Sequence, residues 1–436
     1  MAKIAFYTLG CKVNQADTAS MEQLFAQAGY TIVPFTEQAD VYLVNTCVVT
    51  NMGQSKSRKI IHRAVRNNPD ALVVVTGCYP QTAPEEVAAI EGVDLIIGNQ
   101  DRKNIVALVA EAGKRQEKKT ANLVHELVKD SPFENMTAGV DAKMTRAFLK
   151  IQEGCNQFCA YCIIPYARGP LRSRSLGSIT AEVEHLVAQG YKEVVLIGIH
   201  LGAYGKELPK GPKLADAVKA ALAVKGLARL RLGSLESIEV DAELLQLMAS
   251  DKRFCRHLHL PLQAGADKTL KAMHRPYDGA KFKALLANIR KQIPDISITT
   301  DLIVGFPGET EEDFATSLHF AGECGFAKIH VFPYSLRKGT PAATMSEQIP
   351  AEVKNQRVEA AEAVDAKGHQ AFLASLVGTE TEVLWERKNK AGFWEGLTGN
   401  YQRVYLLSER DLTGKITNVK LEKVFEDGLR GVIIEK

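Results

Sequence analysis

The sequence predicts an α/β protein in three parts: an open parallel sheet, a partial barrel of six βα units and a small antiparallel β-barrel. Three observations predict it. Apolar runs of strand length alternate with amphipathic stretches up to about residue 110, and a second such series begins near residue 145. From about residue 371 the chain turns to short alternating strands separated by Gly and polar turns. A chain of 436 residues is long enough to bury two or three cores.

In the first part KIAFYTLG, YTIVPF, VYLVNTC, ALVVVTGC and VDLIIGN read as strands, the later ones continuously apolar, as in a parallel sheet covered on both faces. ADTASMEQLFAQAG, SKSRKIIHRAVRNN and TAPEEVAAIEG supply the helices between them, so residues 1–112 are expected to be flavodoxin-like. Residues 113–140 are polar, charge-rich and aperiodic, which suits a linker. Within 141–370, AFLKIQEGC, EVVLIGIH, RLRLGS, HLHLPL, ISITTDLIVGFP and KIHVFPYS are six strands separated by helices such as SITAEVEHLVAQG and AKFKALLANIRKQ. Six βα units are too few for a closed eight-strand barrel, so a partial (β/α)6 barrel is expected. Residues 371–436, with TETEVLWERK, GFWEGLTGNYQRVYLL and KITNVKLEKVF, form the small C-terminal antiparallel β-barrel.

Hydrophobic residues at 46% and charged residues at 24% are ordinary for a globular protein. No run of 18 apolar residues occurs and the N-terminus moves directly into a strand, so no membrane contact and a cytoplasmic location are expected. The net charge of +3 leaves nucleic-acid binding to local basic faces. The tail carries ten basic and ten acidic residues, so charge alone gives it no such role.

Eight cysteines stand at positions 11, 47, 78, 155, 159, 162, 255 and 324. A disulfide framework is not expected in a reducing compartment. Cys11, Cys47 and Cys78 each end a predicted strand, and the carboxyl ends of parallel strands gather ligand sites. Three such thiols read as the ligands of a metal cluster, against the plainer reading of buried free cysteines. Cys155, Cys159 and Cys162, spaced C-x3-C-x2-C, follow the first strand of the second series, at what would be the active face of a barrel. Zinc wants four ligands, and no fourth lies nearby.

This spacing, with Tyr161 before the third cysteine, resembles the CxxxCxΦC motif of the radical S-adenosylmethionine enzymes. In those enzymes three cysteines hold a [4Fe–4S] cluster and S-adenosylmethionine takes the open iron. The resemblance places the adenine near Tyr161. Ser234 after RLRLG and Gln263 after HLHLPL offer further contacts, as does Arg174 in ARGPLRSRS beside Arg168 and Arg172. For each of these a satisfied turn or a solvated charge is the competing reading.

Taken together, GCKVNQ, NTCVVT, VVVTGC, EGCNQFCAYCIIP, RGPLRSRS, HLHLPLQAG, DLIVGFPGET and FPYSLRKGTPAA resemble, in order and over nearly the whole chain, the methylthiotransferases. Those enzymes combine a three-cysteine N-terminal domain, a radical S-adenosylmethionine barrel and a C-terminal TRAM module. The resemblance implies two [4Fe–4S] clusters, S-adenosylmethionine, an electron donor, a sulfur donor, and sulfur insertion at an unreactive C–H bond followed by methylation. GCKVNQ and NTCVVT look most like the branch that acts on N6-threonylcarbamoyladenosine 3′ of the tRNA anticodon. The alternatives are isopentenyladenosine at the same position, a ribosomal-protein aspartate, or a non-catalytic iron–sulfur protein for electron transfer or redox sensing. For the anticodon stem-loop, SKSRKIIHRAVR offers Lys56, Arg58, Lys59, Arg63 and Arg66 with no acid among them, unless this is an ordinary solvated helix face. Trp385, Phe393, Trp394 and Tyr401 are read as base-stacking groups or, for most of them, core. Cys255, Cys324, His257 and His259 are read as structural, and no general acid or base is assigned.

Overall fold

The structure is a computed structural model that describes residues 1–114, 119–129, 131–140 and 144–434. Its first sheet is parallel throughout, with strands β1 (Lys3–Thr8), β2 (Thr31–Val33), β3 (Val41–Thr46), β4 (Leu72–Gly77), β5 (Leu95–Ile97) and β6 (Ala121–Leu123) in the order β2-β1-β3-β4-β5-β6. The strands predicted for this part are present, and the first five follow the flavodoxin-like order. Helices α1 (Lys12–Gln27), α2 (Asn51–Asn67), α3 (Cys78–Thr82), α4 (Pro84–Ala88) and α5 (Ile105–Ala112) connect them. The sheet buries both faces, one on Tyr42, Val44 and Ile61, the other on Met21, Phe25 and Leu43.

The segment expected as an aperiodic linker departs from that reading. Residues 121–123 pair in parallel with β5 as the sixth strand. Further on, Glu134 pairs with Arg102, Met136 is buried, and the Ala138 N–H donates to Glu182. Polar contacts, not an apolar period, fix this stretch, which is why its composition reads as linker.

The second part is an arc of six parallel strands: β7 (Arg146–Glu153), β9 (Glu193–Gly198), β10 (Arg229–Leu232), β11 (His257–His259), β12 (Ser297–Val304) and β13 (Lys328–Pro333). The two-residue β8 (Arg172–Ser173) runs antiparallel beside β7. Bridges Leu230↔Phe254 and Ser234↔His259 join the two halves. Among the described residues β13 pairs only with β12, so the barrel stays open, as six units predict. Its outer layer includes α7 (Leu176–Ala188), α8 (Leu214–Leu222), α9 (Ala242–Ser250), α10 (Asp267–Ala272), α11 (Gly279–Gln292) and α12 (Glu311–Glu323), while the short α6 (Ile164–Arg168) after β7 packs on α3 of the first domain.

Alternation along the strands decides what fills the barrel. Leu149, Ile151, Val194 and Leu196 pack outward on Ile179, Val183 and Leu186 of α7. Their alternates Phe148, Val195 and Ile197 face inward and pack on Val13 and Ala16 of α1. The first helix of the N-terminal domain therefore lies against the inner face of the barrel.

A 26-residue helix, α13 (Ala351–Leu376), leads to the last part and is absent from the sequence reading. Its buried residues include Arg357, Ala361 and Asp365, a polar and small stripe that carries no apolar period. Strands β14 (Glu380–Lys388), β15 (Phe393–Thr398), β16 (Arg403–Leu407), β17 (Ile416–Phe425) and β18 (Gly428–Ile433) close a barrel in the order β14-β15-β16-β18-β17. This small barrel seats on the strand starts of the larger one. Arg229 donates to the carbonyls of Leu397 and Glu382, Arg231 to those of Thr398 and Gly399, Arg146 pairs with Glu386, and Gln402 donates to Ser297.

Candidate functional site

Each cysteine of the first group leaves the carboxyl end of a strand. Gly10 before Cys11 has φ +106°, and a Cβ there would stand 3.1 Å from Cys47 Sγ. Gly77 before Cys78 has φ +99°, with the Asn45 side chain 2.5 Å from a Cβ placed on it. Only glycine lets the chain turn so tightly and bring the next thiol across its neighbour strand. Cys11, Cys47 and Cys78 are close enough to interact electrostatically. Cys11 is exposed as a whole, but crowding by protein raises its thiol, with Arg168 opposing and Cys78 adding to the rise. Burial likewise pushes Cys47 up to about 11, with smaller upward pushes from Cys78 and Cys11.

The second group occupies the loop between β7 and α6. Burial pushes Cys162 up to about 12 and raises Cys159, against the pull of Arg275. Among the described residues no three His, Cys, Asp or Glu side chains are set to hold one metal ion. A cubane, with iron and sulfide between its thiolates, spreads its ligands wider than a single ion does. The surroundings fit such a guest. Arg275 Nη1 donates to Cys159 Sγ at 3.2 Å, Arg168 Nε to Cys78 Sγ at 3.2 Å, and His200 Nδ1 stands 3.6 Å from Cys155 Sγ. Gln157, inside the second loop, leaves a buried Nε2 donor without a partner. A thiol raised by crowding or burial must lose its proton to become a ligand, so the rise at Cys11, Cys47, Cys159 and Cys162 makes metal uptake easier as pH rises.

The two groups meet across one seam. Val48 and Cys78 of the first domain pack directly on Ile163 and Ala167 of the second. Beneath them Arg168, fully buried, donates to Asp17 (3.1 Å), Glu153 (3.1 Å) and Asn14 as well as to Cys78. Arg102 pairs with Asp17 (2.5 Å), Glu134 (3.3 Å) and Glu153 (3.5 Å), and Lys150 with Asp17 (2.5 Å) and Glu153 (2.9 Å). Three carboxylates thus face three cations. Burial opposes ionisation of Asp17 and Glu153, but the arginines and Lys150 outweigh it and hold Asp17 below, and Glu153 well below, the usual range.

Tyr161, Ser234 and Gln263 come to the cysteine end of the barrel. The Tyr161 hydroxyl is 3.4 Å from Arg275, and Glu236, two residues past Ser234, pairs with the same arginine. Tyr277 bonds both Arg275 and the carbonyls of Pro261 and Leu262, next to Gln263. Arg174 does not join them. Its guanidinium, 3% exposed, is spent on the carbonyls of Lys150 and Met136, on Ser178 and on Glu182, which fixes the segment around Met136 instead. On α2, Lys56, Arg58, Lys59 and Arg66 are exposed, while Arg63 is half-buried over the Phe35 ring. Trp385 and Trp394 are core. Tyr401 is caged by Arg146, Arg231 and Lys12, stacks on His257, and offers no face to a base. Phe393 packs edge-on to Tyr405 and against Phe425.

Sequence reasoning missed Arg275, Glu236, His200 and Glu239. His200 is held up at about 10: burial works against its charge, and hydrogen bonds to Cys155 and Glu239 outweigh it. His200 follows β9, Glu236 and Glu239 share the loop after β10, and Arg275 follows α10, so no spacing announces them. His257 and His259 share Thr299 as a hydrogen-bond partner inside the barrel.

Residues 3–98 match a family described as an uncharacterized protein family, UPF0004, and residues 149–321 match the radical SAM superfamily. A threonylcarbamoyladenosine tRNA methylthiotransferase MtaB of Bacillus subtilis is 41% identical over 97% of this chain and 94% of its own. One of the same name from Aquifex aeolicus is 39% identical over 92% and 95%. A tRNA-2-methylthio-N(6)-dimethylallyladenosine synthase of Clostridium botulinum is 35% identical over 97% and 95%. Among solved structures, the radical S-adenosylmethionine methyltransferase TsrM of Kitasatospora setae has a TM-score of 0.58 at 17% identity, covering 79% of this chain and 77% of that one, a likeness of fold. Among the described residues no helix is long and apolar enough to cross a membrane.

Proposed function

Since the chain belongs to the radical S-adenosylmethionine methylthiotransferases that act on tRNA, we propose that it converts N6-threonylcarbamoyladenosine, 3′ of the anticodon, to its 2-methylthio derivative. The observation that carries this reading is the seam: two incomplete cysteine groups face each other through Cys78, Ile163 and Arg168. An electron carrier closes its clusters with four protein ligands. Two three-cysteine groups on either side of one domain seam suit a sulfur carrier set beside a radical source. The threonylcarbamoyl branch is favoured over the isopentenyl branch by the 41% against 35% identities.

As a radical SAM protein the chain uses a [4Fe–4S] cluster and S-adenosylmethionine. The chemistry such a cluster supplies when bound is one-electron cleavage of S-adenosylmethionine to methionine and a 5′-deoxyadenosyl radical. Cys155, Cys159 and Cys162 hold it, and Arg275, pinned by Glu236 and Tyr277, hydrogen-bonds the Cys159 sulfur. Tyr161, Ser234 and Gln263 shape the cofactor pocket. Cys11, Cys47 and Cys78 hold a second cluster, the sulfur carrier, with Arg168 fixing the Cys78 sulfur. Val48, Ile163 and Ala167 keep water from the seam. The exposed cations of α2 meet phosphates of the anticodon stem-loop. Residues 1–112, 141–370 and 371–436 divide the work as sulfur domain, radical domain and RNA-binding domain. A reductase, a sulfur donor and a cytoplasmic location complete the reading.

Mass spectrometry of tRNA nucleosides from cells with and without this protein tests the reaction. Loss of the methylthio form of threonylcarbamoyladenosine is expected; loss of the isopentenyl derivative instead overturns the branch. Anaerobically reconstituted protein is expected to hold about eight irons per chain. Iron near four removes the second cluster from the proposal.

A further inference from the structure

Phe158, between Cys155 and Cys159, carries two costs at once. Its φ is +47°, a left-handed conformation that is an outlier for a bulky side chain, and it is 50% exposed. Tyr166 on α6, 49% exposed, meets it edge-on with ring centroids 5.7 Å apart. Strain that persists at a site wants a use for the group it presents.

Ile163, three residues before Tyr166, packs with Val48, and a Cβ on Gly339 would stand 3.8 Å from it, so the loops after β3 and β13 border this one and say what that use is. Val49 and Met52 follow Cys47, and Phe332 and Leu336 lie at the end of β13; all four are exposed. Hydrogen bonds from Asn51 to Ser335 (3.1 Å) and from Arg337 to Asn51 (2.6 Å) hold these two loops together. Lys56, Arg58 and Lys59, further along α2 from Met52, and Lys338, two residues past Leu336, are exposed as well. Apolar and aromatic faces set beside cations, with no deep groove, match unpaired nucleotides, whose bases stack while their phosphates are neutralised.

We infer that Phe158 and Tyr166 are a stacking platform for an unpaired base of the RNA loop that flanks the target adenosine. This rests on tRNA being the substrate. A protein partner would want the apolar rim without the cations. The plainer role for Phe158 is to shield the cluster, and any large apolar side chain fills that role equally well, whereas stacking needs a ring.

The test uses the full chain with its clusters reconstituted and an anticodon stem-loop RNA carrying 2-aminopurine beside the target adenosine. Wild-type protein is expected to quench the 2-aminopurine fluorescence. Phe158→Trp keeps the affinity within about twofold, while Phe158→Leu and Tyr166→Ala weaken it about 5- to 150-fold and lose the quenching. Iron content is measured on every variant. If Phe158→Leu binds and quenches like wild type, shielding is the whole role and the inference falls. Should the Phe158 variants lose iron, Tyr166→Ala decides alone, and wild-type binding by it overturns the platform. Failure of the wild type itself to bind the stem-loop sinks the tRNA reading rather than the platform alone.

Discussion

Cys159→Ala abolishes 5′-deoxyadenosine release and lowers bound iron by about half, from about eight atoms to about four. The residue is buried, and its sulfur is the one that Arg275 reaches. Without it the loop offers two thiolates and a buried guanidinium whose partners shrink to Glu236 and two tyrosine hydroxyls. Cys47→Ala is the contrast. Cys47 lies across the seam, so 5′-deoxyadenosine still forms in that variant while no methylthio nucleoside appears. Chromatography of S-adenosylmethionine incubations, run with tRNA for the second variant, reads both outcomes. Cleavage surviving in Cys159→Ala refutes the assignment of radical chemistry to this loop.

Asp17→Ala destabilises the protein by about 3–5 kcal/mol, the loss expected when one partner leaves a buried ionic cluster. Asp17 is 1% exposed and answers Arg102, Lys150 and Arg168 together. Its removal leaves Glu153 and the partly buried Glu134 against three buried cations. Urea unfolding measures the loss, and a change below 1 kcal/mol means that the seam relaxes around water. The pH dependence has a definite sign. Both Asp17 and Glu153 titrate below their unfolded values. Their contribution is therefore complete above the ordinary carboxylate range, near pH 4, and is lost as pH falls through their lowered folded values. At neutral pH the seam is insensitive to modest acidification.

The parts of this molecule written in apolar periodicity were legible. The strands of the first sheet through β5 and the six of the open barrel stand where alternation and apolar runs placed them, and the terminal barrel follows from its short strands and turns. The first cysteine group was visible because each thiol follows a strand, the second because its three thiols keep a C-x3-C-x2-C spacing after one strand. What stayed hidden is polar. Asn14 and Asp17 are polar residues of α1 that no pattern singles out, yet both are buried against Arg168. Arg357 and Asp365 give α13 no apolar stripe. Arg275 reaches Cys159 across 116 positions of chain. Arg174 was singled out for its guanidinium, but the carbonyls of Lys150 and Met136 had already claimed it. A charge that pairs across domains and a charge that faces water have the same letter, and only the fold tells them apart.

If the small C-terminal barrel grips the RNA, as proposed above, its seat sets a minimum size for what the protein modifies. Its contacts include the first residues of three strands, Arg146, Arg229 and Ser297, whereas the cysteine loop begins after the last residue of β7. Eight residues of strand rise about 26 Å. A molecule that touches the small barrel and also presents a base at the cysteines must reach around that height along the outside of the protein. A trinucleotide is too short for that. A stem with its loop is long and stiff enough, so activity should fall away with the shortening of the stem before the loop itself is touched.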